Sequence, residues 1–143
     1  MLKSIDPILN PELLFSLSKM GHGDRLAIVD ANFPSYSHCA FTHISLVGID
    51  ASTTLSTLLK YFPMDEFSDT PFFIMSQDNS PNLTESAKDF IKIQQNSDES
   101  DHQYKLVDRH IYYQMVRECQ LVISTNDMRP YACMILQKGV IFD

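Results

Sequence analysis

The chain has 143 residues, 44% of them hydrophobic, which suits one compact domain able to hide well over half of its unfolded surface without a disulfide or metal. The 20% charged fraction excludes disorder except in short stretches. With 11 Lys+Arg against 18 Asp+Glu and a net charge of -7, nucleic acid and anionic membrane surfaces are not expected partners.

No stretch approaches the roughly 18 apolar residues of a membrane span. Asp6 and Pro7 interrupt the start of the chain, which has no apolar core of secretory type. A cytoplasmic location is expected. The three cysteines, Cys39, Cys119 and Cys133, form no Cys-x-x-Cys pair, so neither a disulfide framework nor a thiolate zinc site is expected. Cys119 and Cys133 read as reduced core residues.

Asn10-Pro11-Glu12 reads as a helix start. Asn10 can accept from a free backbone N–H, Pro11 presets φ, and Glu12 suits the positive end of the helix dipole. Leu13, Leu14, Leu17 and Met20 recur with helical spacing, and Gly21 ends the run. Leu26-Ala27-Ile28-Val29 is too short for a helix and reads as a strand buried on both faces, closed by Asp30. Residues 41–47 alternate and predict a second strand. Residues 51–62 predict a helix begun by Asp50, and Phe72-Phe73-Ile74-Met75 a third strand. A helix follows over 81–95.

Residues 94–101 read as a solvated polar connection, with His102 facing solvent beside it. Residues 103–107 predict a strand, 111–119 a helix, and Leu121-Val122-Ile123-Ser124 another buried strand. Met134-Ile135-Leu136 and Val140-Ile141-Phe142 flank Lys138-Gly139. Strands alternating with helices predict a single α/β layered domain over 1–143, with a mostly parallel sheet flanked by helices.

Two polar residues stand out. His22 lies between Gly21 and Gly23 at a helix end. Glycines leave the imidazole unshielded, and the negative end of the helix dipole favours its protonated form. That suits a general acid near neutral pH; a helix cap bonding the last carbonyls is the other reading. Asp30 follows a buried strand, where open α/β sheets bind ligands. A carboxylate there can orient a histidine, accept bonds from sugar hydroxyls, or simply turn the backbone. His38, Cys39 and His43 match no zinc pattern.

Gly21-His22-Gly23-Asp24, then Asp30-Ala31-Asn32-Phe33-Pro34, resembles the L-fucose mutarotase and D-ribose pyranase family. The match starts near residues 9–14. It resumes at Asp108-Arg109 and Tyr113, and closes over residues 131–140; between about residues 52 and 103 only the pattern agrees. The resemblance implies that His22 is the catalytic histidine and Asp30 a sugar-binding aspartate. It puts Arg109 where the fucose branch carries a sugar-binding arginine and the ribose branch a histidine. Gly23 and Asn32-Phe33-Pro34 also look more like the fucose branch. Tyr131, Ala132 and Cys133 fall on a sugar-contacting tripeptide, with Cys133 in place of the family's usual asparagine, and Tyr113 falls where it would line the pocket.

What the resemblance implies is an isomerase that interconverts the α and β anomers of a free monosaccharide, L-fucose first. The hemiacetal opens when one group protonates the ring oxygen and another takes the anomeric proton. Neither metal nor cofactor is required. His22 would be the acid; bound water or Tyr131 would relay the other proton. The family forms ring-like homo-oligomers with sites between neighbouring subunits, so a decamer is expected. Rival readings are a D-ribose pyranase, which exchanges pyranose and furanose rings, a sugar-binding protein without turnover, and a pure assembly module.

Overall fold

Four consecutive buried residues, Leu26 to Val29, set the centre of the molecule. The run can be continuously apolar because helices cover both of its faces. In the computed structural model, which describes residues 1–142, the elements in chain order are α1 (Pro11–Lys19), β1 (Arg25–Val29), α2 (Ser35–His38), β2 (Thr42–Ser45), α3 (Ala51–Leu58), β3 (Phe72–Met75), α4 (Glu85–Gln95), β4 (Tyr104–Val107), α5 (Arg109–Val116), β5 (Leu121–Ser124) and β6 (Met134–Gln137).

The sheet order is β2-β5-β1-β6-β3-β4. β2, β5 and β1 are mutually parallel, as are β3 and β4. β6 runs antiparallel to both β1 and β3. Five strands therefore point one way, and the sixth is a reversed seam between two parallel blocks. The mostly parallel layered architecture expected from the sequence is what forms.

One face of the sheet packs Leu26, Ile28, Ile74, Ile123 and Met134 against Leu13, Leu55 and Phe90 of α1, α3 and α4. The other packs Ala27, Val29, Val122 and Ile135 against Tyr112, Val116 and Cys119 in and after α5. Alternate side chains of one strand thus serve two cores. The Tyr112 hydroxyl donates to the Met134 carbonyl at 2.8 Å, which ties α5 to the seam. Cys119 and Cys133 are buried free thiols.

Several boundaries differ from the sequence reading. α1 stops at Lys19, and Gly21 takes no left-handed turn. β2 covers four residues of the alternating run. α3 ends at Leu58 rather than 62. α4 begins at Glu85, because the Thr84 side chain accepts from the Ala87 N–H and starts the helix there. α5 begins at Arg109, because Asp108 caps it through the Ile111 N–H. α2 was not anticipated.

The acidic connection is not simply solvated. Glu99 accepts from the Met64 N–H at 3.1 Å and pairs with half-buried His102 at 3.0 Å. Buried Gln94 donates to the carbonyls of Glu99 and His102. These bonds hold the segment against the 64–65 turn.

Candidate functional site

The parallel strands release their following loops at one edge of the sheet, and β6 enters there. That carboxyl edge collects Asp30, Ser76, Asp108, Thr125 and Cys133. Asp30 Oδ1 accepts from the Asn32 N–H at 2.9 Å, and Oδ2 lies 3.2 Å from Cys133 Sγ, whose thiol donates to it. Burial, then the neighbouring Asp30 charge, pushes the Cys133 thiol well above its ordinary range, so it stays protonated as a donor.

The 125–131 segment enters this edge under tension. Tyr131 adopts φ of 60°, a left-handed conformation that costs a non-glycine residue of order 1 kcal/mol. The Cys133 N–H closes on the Tyr131 carbonyl at 2.8 Å. Arg129 fixes the approach with a fork onto buried Asp127, at 3.0 and 2.7 Å, and further bonds to Asp89 and Ser52. Burial works to raise the Asp127 carboxyl, but the Arg129 bonds and the Ala51 N–H hold it below the usual carboxylate range. The Asp127 carbonyl accepts from the Ala31 N–H at 2.9 Å, joining this segment to the loop after Asp30.

Arg109 opens α5 and stands 44% exposed, with Nε 3.1 Å from Asp78 Oδ2. Tyr113, one turn further on, shares its face of the helix. Its ring sits edge-on to Phe33 at 4.9 Å and to His38 at 5.1 Å. Burial raises the Tyr113 phenol, the Arg109 charge opposes that, and Cys133, Asp30 and Asp78 add to it. Tyr131 is half-buried, and the Ala132 and Cys133 side chains are sealed.

His22 lies at the other end of β1. Gly23, at φ of 86°, donates to the Lys138 carbonyl at 2.8 Å, and the Gly21 N–H donates to Asp24 Oδ2 at 2.8 Å. The turn is thus pinned to the exit of β6. His22 Nε2 is 3.0 Å from Asp65 Oδ1, with the imidazole 47% exposed and the carboxylate 5%. The ring goes to this carboxylate rather than to the last carbonyls of α1. Gln137 Nε2 donates to Asp65 Oδ2 at 2.8 Å, and the Phe67 N–H to Oδ1 at 3.0 Å. Burial would raise the Asp65 carboxyl; the bonds from Gln137, Phe67 and His22 hold it below its ordinary value.

Asp30, Tyr131, Ala132, Cys133, Arg109 and Tyr113 therefore gather at the carboxyl edge, and His22 does not join them within one chain. At about 3.3 Å per residue, β1 is longer than any side chain can bridge. Asp65 was missed by the sequence reading. It lies 43 residues from His22 in a turn with no periodic signal, and only the tertiary fold pairs the two. A groove of about 870 Å³ lies elsewhere, between α1 and the β2 edge, lined by Phe15, Lys19, Phe41 and His43 among others. His38 turns to Ser37 and the Pro34 carbonyl, and His43 to Ser124. Among the described residues no three His, Cys, Asp or Glu side chains cluster as metal ligands, and no helix is long and apolar enough to cross a membrane.

Residues 3–141 match the model of the RbsD / FucU transport protein family. The fucose mutarotase of Mus musculus is 33% identical over 98% of this chain and 95% of its own. The L-fucose mutarotase of Actinobacillus pleuropneumoniae is 30% identical over 98% and 97%. The crystal structure of the fucose mutarotase from Streptococcus pneumoniae, in complex with L-fucose, superposes with a TM-score of 0.89 at 26% identity, covering 99% of this chain and all of that one.

Proposed function

The chain belongs to the RbsD / FucU family, and from that premise we propose that it is an isomerase that interconverts the α and β anomers of a free monosaccharide, L-fucose first. The observation that carries this reading is the exposed imidazole of His22 held at 3.0 Å by the nearly sealed carboxylate of Asp65. A carboxylate on Nε2 fixes the ring and leaves Nδ1 free toward substrate.

The imidazolium gives its Nδ1 proton to the sugar ring oxygen. Tyr131 or a bound water takes the anomeric hydroxyl proton, and the C1–O5 bond breaks to give the open aldehyde. The C1–C2 bond rotates. Reclosure on the other face of the carbonyl returns the O5 proton to Nδ1 and a proton to the new anomeric oxygen. Atoms and charge balance, and no electron leaves the sugar. Asp30 accepts from sugar hydroxyls, Arg109 offers a fork of donors to them, and Tyr113 walls the space beside Asp30. Cys133 and Ala132 support the contact from behind, Cys133 by holding Asp30.

The length of β1 separates the acid from these sugar-holding groups, so the working site is composite. His22 and Asp65 of one copy meet Asp30, Arg109 and Tyr131 of the next. That requires a homo-oligomer in which each copy gives one end of its sheet to each neighbour, as a closed ring does; the size proposed is a decamer. The free thiols of Cys39, Cys119 and Cys133 suit a reducing compartment, and the cytoplasm is the proposed location.

Saturation-transfer NMR tests the function. Irradiating one anomer of L-fucose should deplete the other faster with protein than in buffer. The same measurement on D-ribose, following pyranose and furanose signals, separates the pyranase activity. A panel of free sugars exchanging at the buffer rate would overturn the reading.

A further inference from the structure

Beside His22 the surface is apolar. The Phe67 ring lies 5.7 Å from the imidazole, tilted by 59°, and Phe142 backs it at 6.3 Å. Phe67 is 66% exposed, and Phe142 and Ile141 are exposed with it. The placement is built, not incidental. One oxygen, Asp65 Oδ1, accepts from both His22 Nε2 and the Phe67 N–H, each at 3.0 Å. The imidazole and the Phe67 backbone therefore meet at one buried oxygen, which roots the aromatic side chain beside the acid.

The chemistry of a hexopyranose turns that relation into selectivity. The ring oxygen is bonded to C5, and C5 carries C6. A group within hydrogen-bond reach of the ring oxygen has C6 beside it. In a 6-deoxy sugar C6 is a methyl group; in the parent sugar it bears a hydroxyl. A methyl laid on an aromatic ring loses water from both surfaces at once. A hydroxyl in the same place is stripped of water and gains no partner.

We propose that Phe67, backed by Phe142, selects 6-deoxy sugars over their 6-hydroxy counterparts by packing on the C6 methyl while His22 serves the ring oxygen. The assignment rests on the reading of His22 as the acid. Phe67 belongs to the copy that supplies the acid, so selectivity and proton donation travel together to the neighbour's sugar-holding edge.

The test compares L-fucose with L-galactose, which differs only by a hydroxyl on C6, by anomer exchange in the intact protein. The unmodified protein should favour L-fucose by roughly tenfold to a hundredfold in kcat/KM, the range an apolar pocket gives against one added hydroxyl. Phe67→Ala should bring the two sugars to within about threefold, by raising KM for L-fucose and leaving L-galactose nearly unchanged. Phe67→Leu, which keeps an apolar contact, should retain most of the preference. Light scattering on each variant reads the assembly. Equal handling of the two sugars by the unmodified protein overturns the selectivity and leaves the mutarotase reading standing. Equal losses on both sugars in Phe67→Ala, or a smaller assembly, assign Phe67 to support or packing and overturn it too. Exchange of neither sugar by the unmodified protein overturns both.

Discussion

The thiol of Cys133 donates to the carboxylate of Asp30 across 3.2 Å, joining the first residue after β1 to the residue that precedes β6. The thiol is fully buried, so in the proposed site any effect it has on a sugar passes through Asp30. Cys133→Ala should leave the chain folded with a loss of about 1–2 kcal/mol from the lost bond and small void. It should also raise the dissociation constant for L-fucose. Cys133→Asn should tighten L-fucose binding by giving Asp30 an amide donor in place of the weaker thiol. Titration calorimetry reads both, and an unchanged constant in both variants would show that the Cys133 side chain has no bearing on sugar binding.

His22→Ala and His22→Gln should melt near the parent temperature, since the exposed imidazole is not part of either core. Exchange should fall by about 10²–10⁴, the usual contribution of a positioned acid. Saturation-transfer NMR gives the rate, and exchange at the parental rate would remove His22 from the mechanism.

A composite site makes a prediction that no single-chain site can share. His22→Ala and Asp30→Asn should each be inactive alone. Unfolded together and refolded, they should recover about a quarter of the parental sites, those pairing an intact His22 from one copy with an intact Asp30 from the next. No recovery in a mixed assembly, verified by mass spectrometry, would rule out sharing.

The acid side of the stability curve follows from Asp65 and Asp127. Both carboxyls are held below their ordinary range in the folded chain. Folded, each binds fewer protons than unfolded wherever the two states differ. Their stabilisation is thus present above the unfolded pKa of about 4 and is lost as pH falls through the lower folded values. Urea midpoints should drop over that interval. Asp65→Asn should flatten the drop, and should also slow exchange at neutral pH by loosening His22. An unaltered pH profile would deny Asp65 both roles.

Arg109→Ala should weaken sugar binding about tenfold or more while barely moving the melting temperature. Its pair with Asp78 is half-exposed, and such pairs contribute about 0–1 kcal/mol. A large stability loss with unaltered binding would make Arg109 structural.

What could be read from the sequence follows physical range. β1, β3 and β5 were legible because three or four adjacent apolar residues in so short a run have few other uses, and α1 and α3 because Asn10 and Asp50 are local caps. Thr84 and Asp108 are equally local caps, passed over because proline and apolar spacing drew the helix starts to 81 and 111. The direction of β6 was not legible, since an apolar run carries no polarity. Nor was the Asp65 partner of His22, as only folding unites two loops 43 residues apart. The candidate site residues other than His22 and Asp30 came from motif resemblance, and they share with Asp30 the edge where loops after parallel strands must lie.

The reversed seam has a consequence for biosynthesis. β1 and β3 do not touch as partners; each pairs with β6. Until Met134–Gln137 has left the ribosome, the two parallel blocks have no common strand, and the nascent chain presents bare β-edges to its surroundings. The sixth of these strands in chain order is the one that lets the sheet exist as a whole, so a ribosome stalled before it would hold a client for chaperones instead of a closed sheet.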